Sequence, residues 1–278
     1  EMNTLLLAGF GIAFYVSWGI GANDESMALL AGSGFTTVKV VAFLSAVMTF
    51  LGAVFLGDRV EGTIGKGLLL GEANVIDVLI ILFSMATWLT VASYGEWPVS
   101  TTHSAIGAVL GLGLVKWGLS GINWGNLINI LIVLVVSPLI GLFGVMATVK
   151  IVCRILRKYT AGLRRGIKIA RRSAILLLVW SCINAFSRGA NDVAKATAFL
   201  SIIYGNSLVV RAVAGVGIML GLMILGRKVI KSVGQNLVRI DPAMALSAEI
   251  TVALIMLIGT LLGLLLSGTH ILVGAVIG

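Results

Sequence analysis

Two aspartates carry the chemistry that most needs explaining in this chain. Asp24 closes the tetrapeptide Gly21-Ala22-Asn23-Asp24, and Asp192 closes an identical one, Gly189-Ala190-Asn191-Asp192. Each follows an apolar run, which sets a carboxylate at membrane depth, where charge is costly and usually functional. An amide oxygen beside a hard carboxylate suits an alkali cation or a proton. Asn23, Asp24, Asn191 and Asp192 are therefore the candidate cation ligands, with sodium as the metal they would hold. The competing reading, an aspartate that caps a half helix, leaves the repetition of the whole tetrapeptide unexplained. The glycine that opens each motif is expected to let the chain bend there, as broken helices require.

A second pair of motifs offers the complementary chemistry. Ser100-Thr101-Thr102-His103 follows Pro98, and Ser267-Gly268-Thr269-His270 repeats the pattern. Proline is favoured near helix starts, and a helix start presents unpaired N–H groups and a positive dipole end to an oxyanion. Ser100, Thr101, Thr102, Ser267 and Thr269, with Asp24 and Asp192, are the candidate substrate-binding residues. Plain N-capping is the alternative for one such motif, and duplication weakens it. His103 and His270, the only two histidines, read as structural residues, because two imidazoles without thiolates make a poor zinc site. Glu25, Glu96 and Glu249 are further candidates for embedded charge. Arg188 either attracts an anion or reaches to the interface. Lys195, three residues after Asp192, either pairs with it on one helix face or carries its charge out to water.

The elements that position these groups must be membrane helices. Of 278 residues 59% are hydrophobic and 11% charged, against roughly 25% charged in soluble domains. Apolar runs of span length recur throughout, and 35 glycines suit close helix packing in lipid. The net charge of +9 does not indicate nucleic acid. Eight basic residues fall within 154–172, a stretch with no acid that reads as a cytoplasmic loop facing anionic lipid. Cys153 and Cys182 read as packing residues, and no cleavable signal peptide is expected. Spans are expected at 3–19, 37–56, 75–93, 98–117 and 125–152, then at 173–186, 207–225, 243–266 and from 269 onward. Two short re-entrant segments, 24–31 and 192–204, follow the tetrapeptides.

The chain is thus an all-α polytopic membrane protein of two repeats, 1–153 and 173–278, joined by the basic loop 154–172. Asp24 to His103 spans 79 residues and Asp192 to His270 spans 78, so duplication is a strong inference. The loop 57–74 carries net −1 and its mate 226–241 carries net +3. Opposed loop charge is expected of repeats inserted with inverted topology, and transporters built this way break or re-enter their helices at the binding site. The second repeat ends without a counterpart of 125–152.

The duplicated Gly-Ala-Asn-Asp, with Pro98-Val99-Ser100-Thr101-Thr102-His103, resembles the inorganic phosphate transporter (Pit) family over nearly the whole chain. The resemblance implies a secondary active symporter in the plasma membrane, moving inorganic phosphate with sodium or protons by alternating access. It also implies a homodimer, with substrate held between the halves by Asp, Asn, Ser and Thr. That family's motif is usually Gly-Ala-Asn-Asp-Val-Ala-Asn-Ala; here Met27 and Lys195 stand where it has its second Asn, and Glu25-Ser26 replaces Val-Ala. Lys195 is therefore expected to alter the cation requirement. The rivals are a sulfate permease of the same fold, an intramembrane enzyme and a passive anion channel. Without a nucleophile–base set no enzyme is expected, and no ATP-binding lysine loop is present. No cofactor is expected beyond the coupling ion.

Overall fold

The computed structural model describes residues 2–61, 68–71, 73–159, 163–204, 207–237 and 242–278. Among them regular structure is entirely helical. The first repeat contains α1 (Met2–Ala22), α2 (Ala28–Gly32), α3 (Val38–Leu56), α4 (Asp58–Glu61), α5 (Val75–Tyr94), α6 (Thr101–Trp117) and α7 (Trp124–Tyr159). The second contains α8 (Leu163–Tyr204), α9 (Ser207–Gly221), α10 (Arg227–Lys231), α11 (Pro242–Leu261) and α12 (Gly268–Ile277). Wider π-helical turns, Leu222–Gly226 and Ser232–Leu237, flank α10. Among the described residues six helices are long and apolar enough to cross a membrane: Val38–Leu56, Val75–Tyr94, Trp124–Leu156, Arg171–Ala198, Leu208–Gln235 and Ala243–Leu261. α6, expected as a span at 98–117, is 17 residues long and falls outside that set. Large apolar side chains such as Phe83, Val135 and Phe143 are exposed, as lipid-facing residues must be.

The first tetrapeptide breaks its helix and the second does not. α1 ends at Ala22, residues 23–27 turn, and α2 resumes at Ala28. The cause is local. The Asp24 carboxylate accepts from the Ser26 N–H and the Ser26 hydroxyl, each at 2.9 Å, and such a turn competes with helical hydrogen bonding. In the second repeat Val193 and Ala194 offer no such partner, and α8 runs unbroken through Asp192. The re-entrant segment expected at 192–204 is therefore the continuation of one helix of 42 residues. The basic stretch 154–172 is likewise largely helical. It extends α7 and begins α8, with 160–162 outside the described residues. The loop charges at Lys66, Glu72, Arg239 and Asp241 also lie outside them.

Neither tetrapeptide glycine serves mainly as a hinge. A Cβ on Gly21 would stand 1.9 Å from the Ile218 carbonyl oxygen, and one on Gly189 would stand 2.1 Å from that of Thr49. Gly221 meets the Trp18 carbonyl at 2.0 Å and Gly52 that of Phe186 at 1.8 Å in the same sense. These are two copies of one crossing. Each repeat's first helix, α1 or α8, lies backbone to backbone on the other repeat's α9 or α3, as small residues permit in lipid. The repeats are thereby interleaved, and the site lies where they meet.

Candidate functional site

The loops ahead of α6 and α12 are held by the two motif asparagines. Asn23 donates to the Trp97 carbonyl at 2.8 Å and accepts from the Val99 N–H at 2.9 Å. Asn191 donates to the Leu264 carbonyl at 2.8 Å, at the position equivalent to Trp97. Each repeat thus ties its tetrapeptide to its own Ser-Thr motif. The Asn191 side-chain oxygen has no hydrogen-bond partner among the described residues. In both loops the backbone passes through the left-handed region, at Glu96 with φ 59° and at its mate Gly263 with φ 70°. Glu96, read as a candidate embedded charge, is exposed.

The two helix starts then meet head to head. Ser100 caps α6 by accepting from the His103 N–H, and Ser267 caps α12 by accepting from that of His270. The two capping hydroxyls lie 2.9 Å apart, and beyond them the His103 and His270 rings meet tilted at 45°, with centroids 4.5 Å apart. Equivalent residues of the two repeats thus touch each other, Ser100 with Ser267 and His103 with His270. Thr102 donates to the Leu266 carbonyl at 3.1 Å and locks α6 to the opposing loop. A pocket opens beside Ser100, lined also by Ser84, Trp88, Val99, His103 and His270.

Charge surrounds this junction on two sides. α8 presents a polar stripe at helical spacing: Ser181, Asn184, Arg188, Asn191 with Asp192, and Lys195, all buried. Arg188 is ion-paired to Glu25 at 2.7 Å and lies 3.7 Å from the Asp24 carboxylate. Glu25 also accepts from Thr269 at 2.8 Å, while its other oxygen has no hydrogen-bond partner among the described residues. A Cβ on Gly268 would stand 2.7 Å from the Arg188 Nε, so the guanidinium lies against the first turn of α12. On the other side Lys195 is ion-paired to Asp192 and donates to Thr101 at 2.7 Å, and Thr101 donates to Asp192 at 3.1 Å. Neither Arg188 nor Lys195 reaches water: their side chains are 4% and 1% exposed. Below Asp24, Asn184 donates to Glu249 at 2.7 Å and to the Ser26 carbonyl at 2.8 Å.

The structure thus gathers Ser100, Thr101, Thr102, Ser267, Thr269, Asp24 and Asp192 around one junction of two helix starts. Asn23 and Asn191 adjoin it through the loops they hold. Sequence reading missed the Glu25–Arg188 pair. Its signal was the helical spacing of polar residues along α8, which singles out an inward face before any contact is known.

The family model of the phosphate transporter family matches residues 20–278. The chain belongs to that family. It is 28% identical over 369 aligned positions to a Chlamydia trachomatis protein named as a phosphate permease, with 95% of this chain and 87% of that protein covered. Identity is also 28% to the chloroplastic inorganic phosphate transporter 2-1 of Arabidopsis thaliana, over 95% of this chain and 64% of that protein. Among solved structures, one described as the sodium-dependent phosphate transporter superimposes with a TM-score of 0.86 at 26% identity. That match covers 98% of this chain and 88% of the other.

Proposed function

We propose that the chain is a secondary active transporter of inorganic phosphate. The anion sits between the starts of α6 and α12, and sodium or protons enter with it. The observation that carries this reading is the head-to-head meeting of the two caps, Ser100 and Ser267, inside a ring of buried charge. Two positive dipole ends and the hydroxyls of Thr101, Thr102 and Thr269 suit a tetrahedral oxyanion. The buried carboxylates favour phosphate over sulfate on general chemical grounds. Phosphate at neutral pH still carries a P–OH that can donate to Asp24, Glu25 or Asp192, whereas sulfate has no proton to give and would meet their charge unrelieved.

Charge balance argues for coupling. Asp24, Glu25 and Asp192 supply three negative charges against two from Arg188 and Lys195. A site already net negative accepts an anion at membrane depth only with added positive charge. Asn23, Asp24, Asn191 and Asp192 are the proposed oxygen donors to such a cation. The reciprocal crossings of α1 on α9 and α8 on α3 support inverted repeats and alternating access around this point. A homodimer in the plasma membrane belongs to the same reading.

The test is radiolabelled phosphate uptake into proteoliposomes, with sodium and proton gradients imposed separately and sulfate as competitor. The reading expects a cation gradient to drive phosphate above equilibrium while excess sulfate competes weakly. Equal competition by sulfate makes the chain a sulfate permease. Uptake that only equilibrates, whichever gradient is applied, makes it a channel.

A further inference from the structure

Lys195 deepens the reading just given. Its ammonium lies in the interior, ion-paired to Asp192 and 2.7 Å from the Thr101 hydroxyl. Thr101 in turn donates to the same carboxylate. A carboxylate with a hydroxyl bonded to it is the kind of oxygen pair that a small monovalent cation takes. Here the chain's own side chain supplies that charge. The Asp24 side is built alike, with Arg188 from the opposite repeat placed between Asp24 and Glu25. The difference lies in what each cation touches. Arg188 contacts two carboxylates and the first turn of α12. Lys195 touches one carboxylate and a hydroxyl that itself belongs to the proposed anion site.

We infer that Lys195 is a tethered counter-ion that occupies the cation position of Asp192, so that phosphate binding on that side takes up no free cation. An ammonium fixed at one end by a helix cannot leave with the substrate. Its charge helps the anion at every step, and the number of ions bound with each phosphate is lower by one. Thr101 communicates this charge, because it accepts from Lys195 and stands beside the Ser100 cap.

The experiment is equilibrium binding of radiolabelled phosphate to the purified protein at several sodium concentrations, with choline holding ionic strength constant. By mass action, each sodium taken up with phosphate adds one to the slope of log affinity against log sodium. Lys195→Asn, which removes the tethered charge and adds an amide oxygen, is expected to steepen that slope by about one, a further tenfold in affinity per tenfold in sodium. Lys195→Arg should keep the wild-type slope. A second arm does not depend on either variant folding. Asp192→Asn should leave the sodium slope of residual binding unchanged, because no sodium binds there. Equal slopes in wild type and Lys195→Asn, or a slope that falls by one in Asp192→Asn, overturn the inference. A wild-type protein that binds no phosphate at any sodium concentration instead overturns the functional reading beneath it.

Discussion

Arg188→Gln breaks a deeply buried ion pair between the two repeats. The guanidinium is 4% exposed, and its partner Glu25 is 1% exposed. Removing it leaves Glu25 and Asp24 as neighbouring buried carboxylates with no cation between them. Breaking one side of such a pair costs about 3–5 kcal/mol, chiefly because the surviving charge is stranded. Glu25 keeps its 2.8 Å hydrogen bond from Thr269, which offsets part of the loss, so a figure near 3 kcal/mol is expected. The double replacement Glu25→Gln/Arg188→Gln leaves two neutral amides that can bond to each other, and it should recover about 2 kcal/mol of that loss. The assay is thermal unfolding of detergent-solubilised protein followed by loss of monodisperse material. Arg188→Gln should lower the midpoint by about 6–12 °C, taking about 2–4 °C per kcal/mol for a chain of this size. Additive effects in the two single variants and the double variant would refute the argument, since the pair would then carry no coupling.

Asp24→Asn and Asp192→Asn should each abolish phosphate uptake while expression and monodispersity persist; normal uptake in both would remove the tetrapeptides from the site. Thr102→Val and Thr269→Val should each raise the half-saturating phosphate concentration about tenfold or more, the size of one charge-assisted hydrogen bond at roughly 1.5–3 kcal/mol. Unchanged values in uptake assays would make both plain structural residues. Glu96→Gly should stabilise the protein by about 1 kcal/mol in the same unfolding assay, because it relieves the left-handed backbone that Gly263 occupies without cost in the other repeat.

The sequence made the repeats legible because motif order and spacing survive changes in everything between them. The helical, membrane-spanning character followed from composition alone. What sequence misjudged depends on short-range competition or on contacts across the repeats. Gly189 shares its tetrapeptide with Gly21, yet only the Asp24–Ser26 turn interrupts a helix, and residues two positions past the motif decide that. Both glycines answer to a neighbouring backbone, Ile218 or Thr49, which no local pattern reveals. Val193 fills the position of Glu25 in the second repeat, so no paired motif marks Glu25. Its partner Arg188 comes from elsewhere in the other repeat, as the interleaving of α1 with α8 and α9 allows. Lys195 had two equal readings on paper. Burial decides between them, because a side chain 1% exposed cannot carry its charge to water.

The central claim is that phosphate sits between the starts of α6 and α12. The most direct measurement is a cryo-electron microscopy map of the protein in lipid nanodiscs with saturating phosphate and sodium, compared with one in chloride alone. The account predicts tetrahedral density in the phosphate map only, within hydrogen-bond reach of Ser100, Thr101, Ser267 and Thr269. A phosphate map with that junction empty and the Ser100–Ser267 contact intact, or with the anion bound elsewhere, would contradict it.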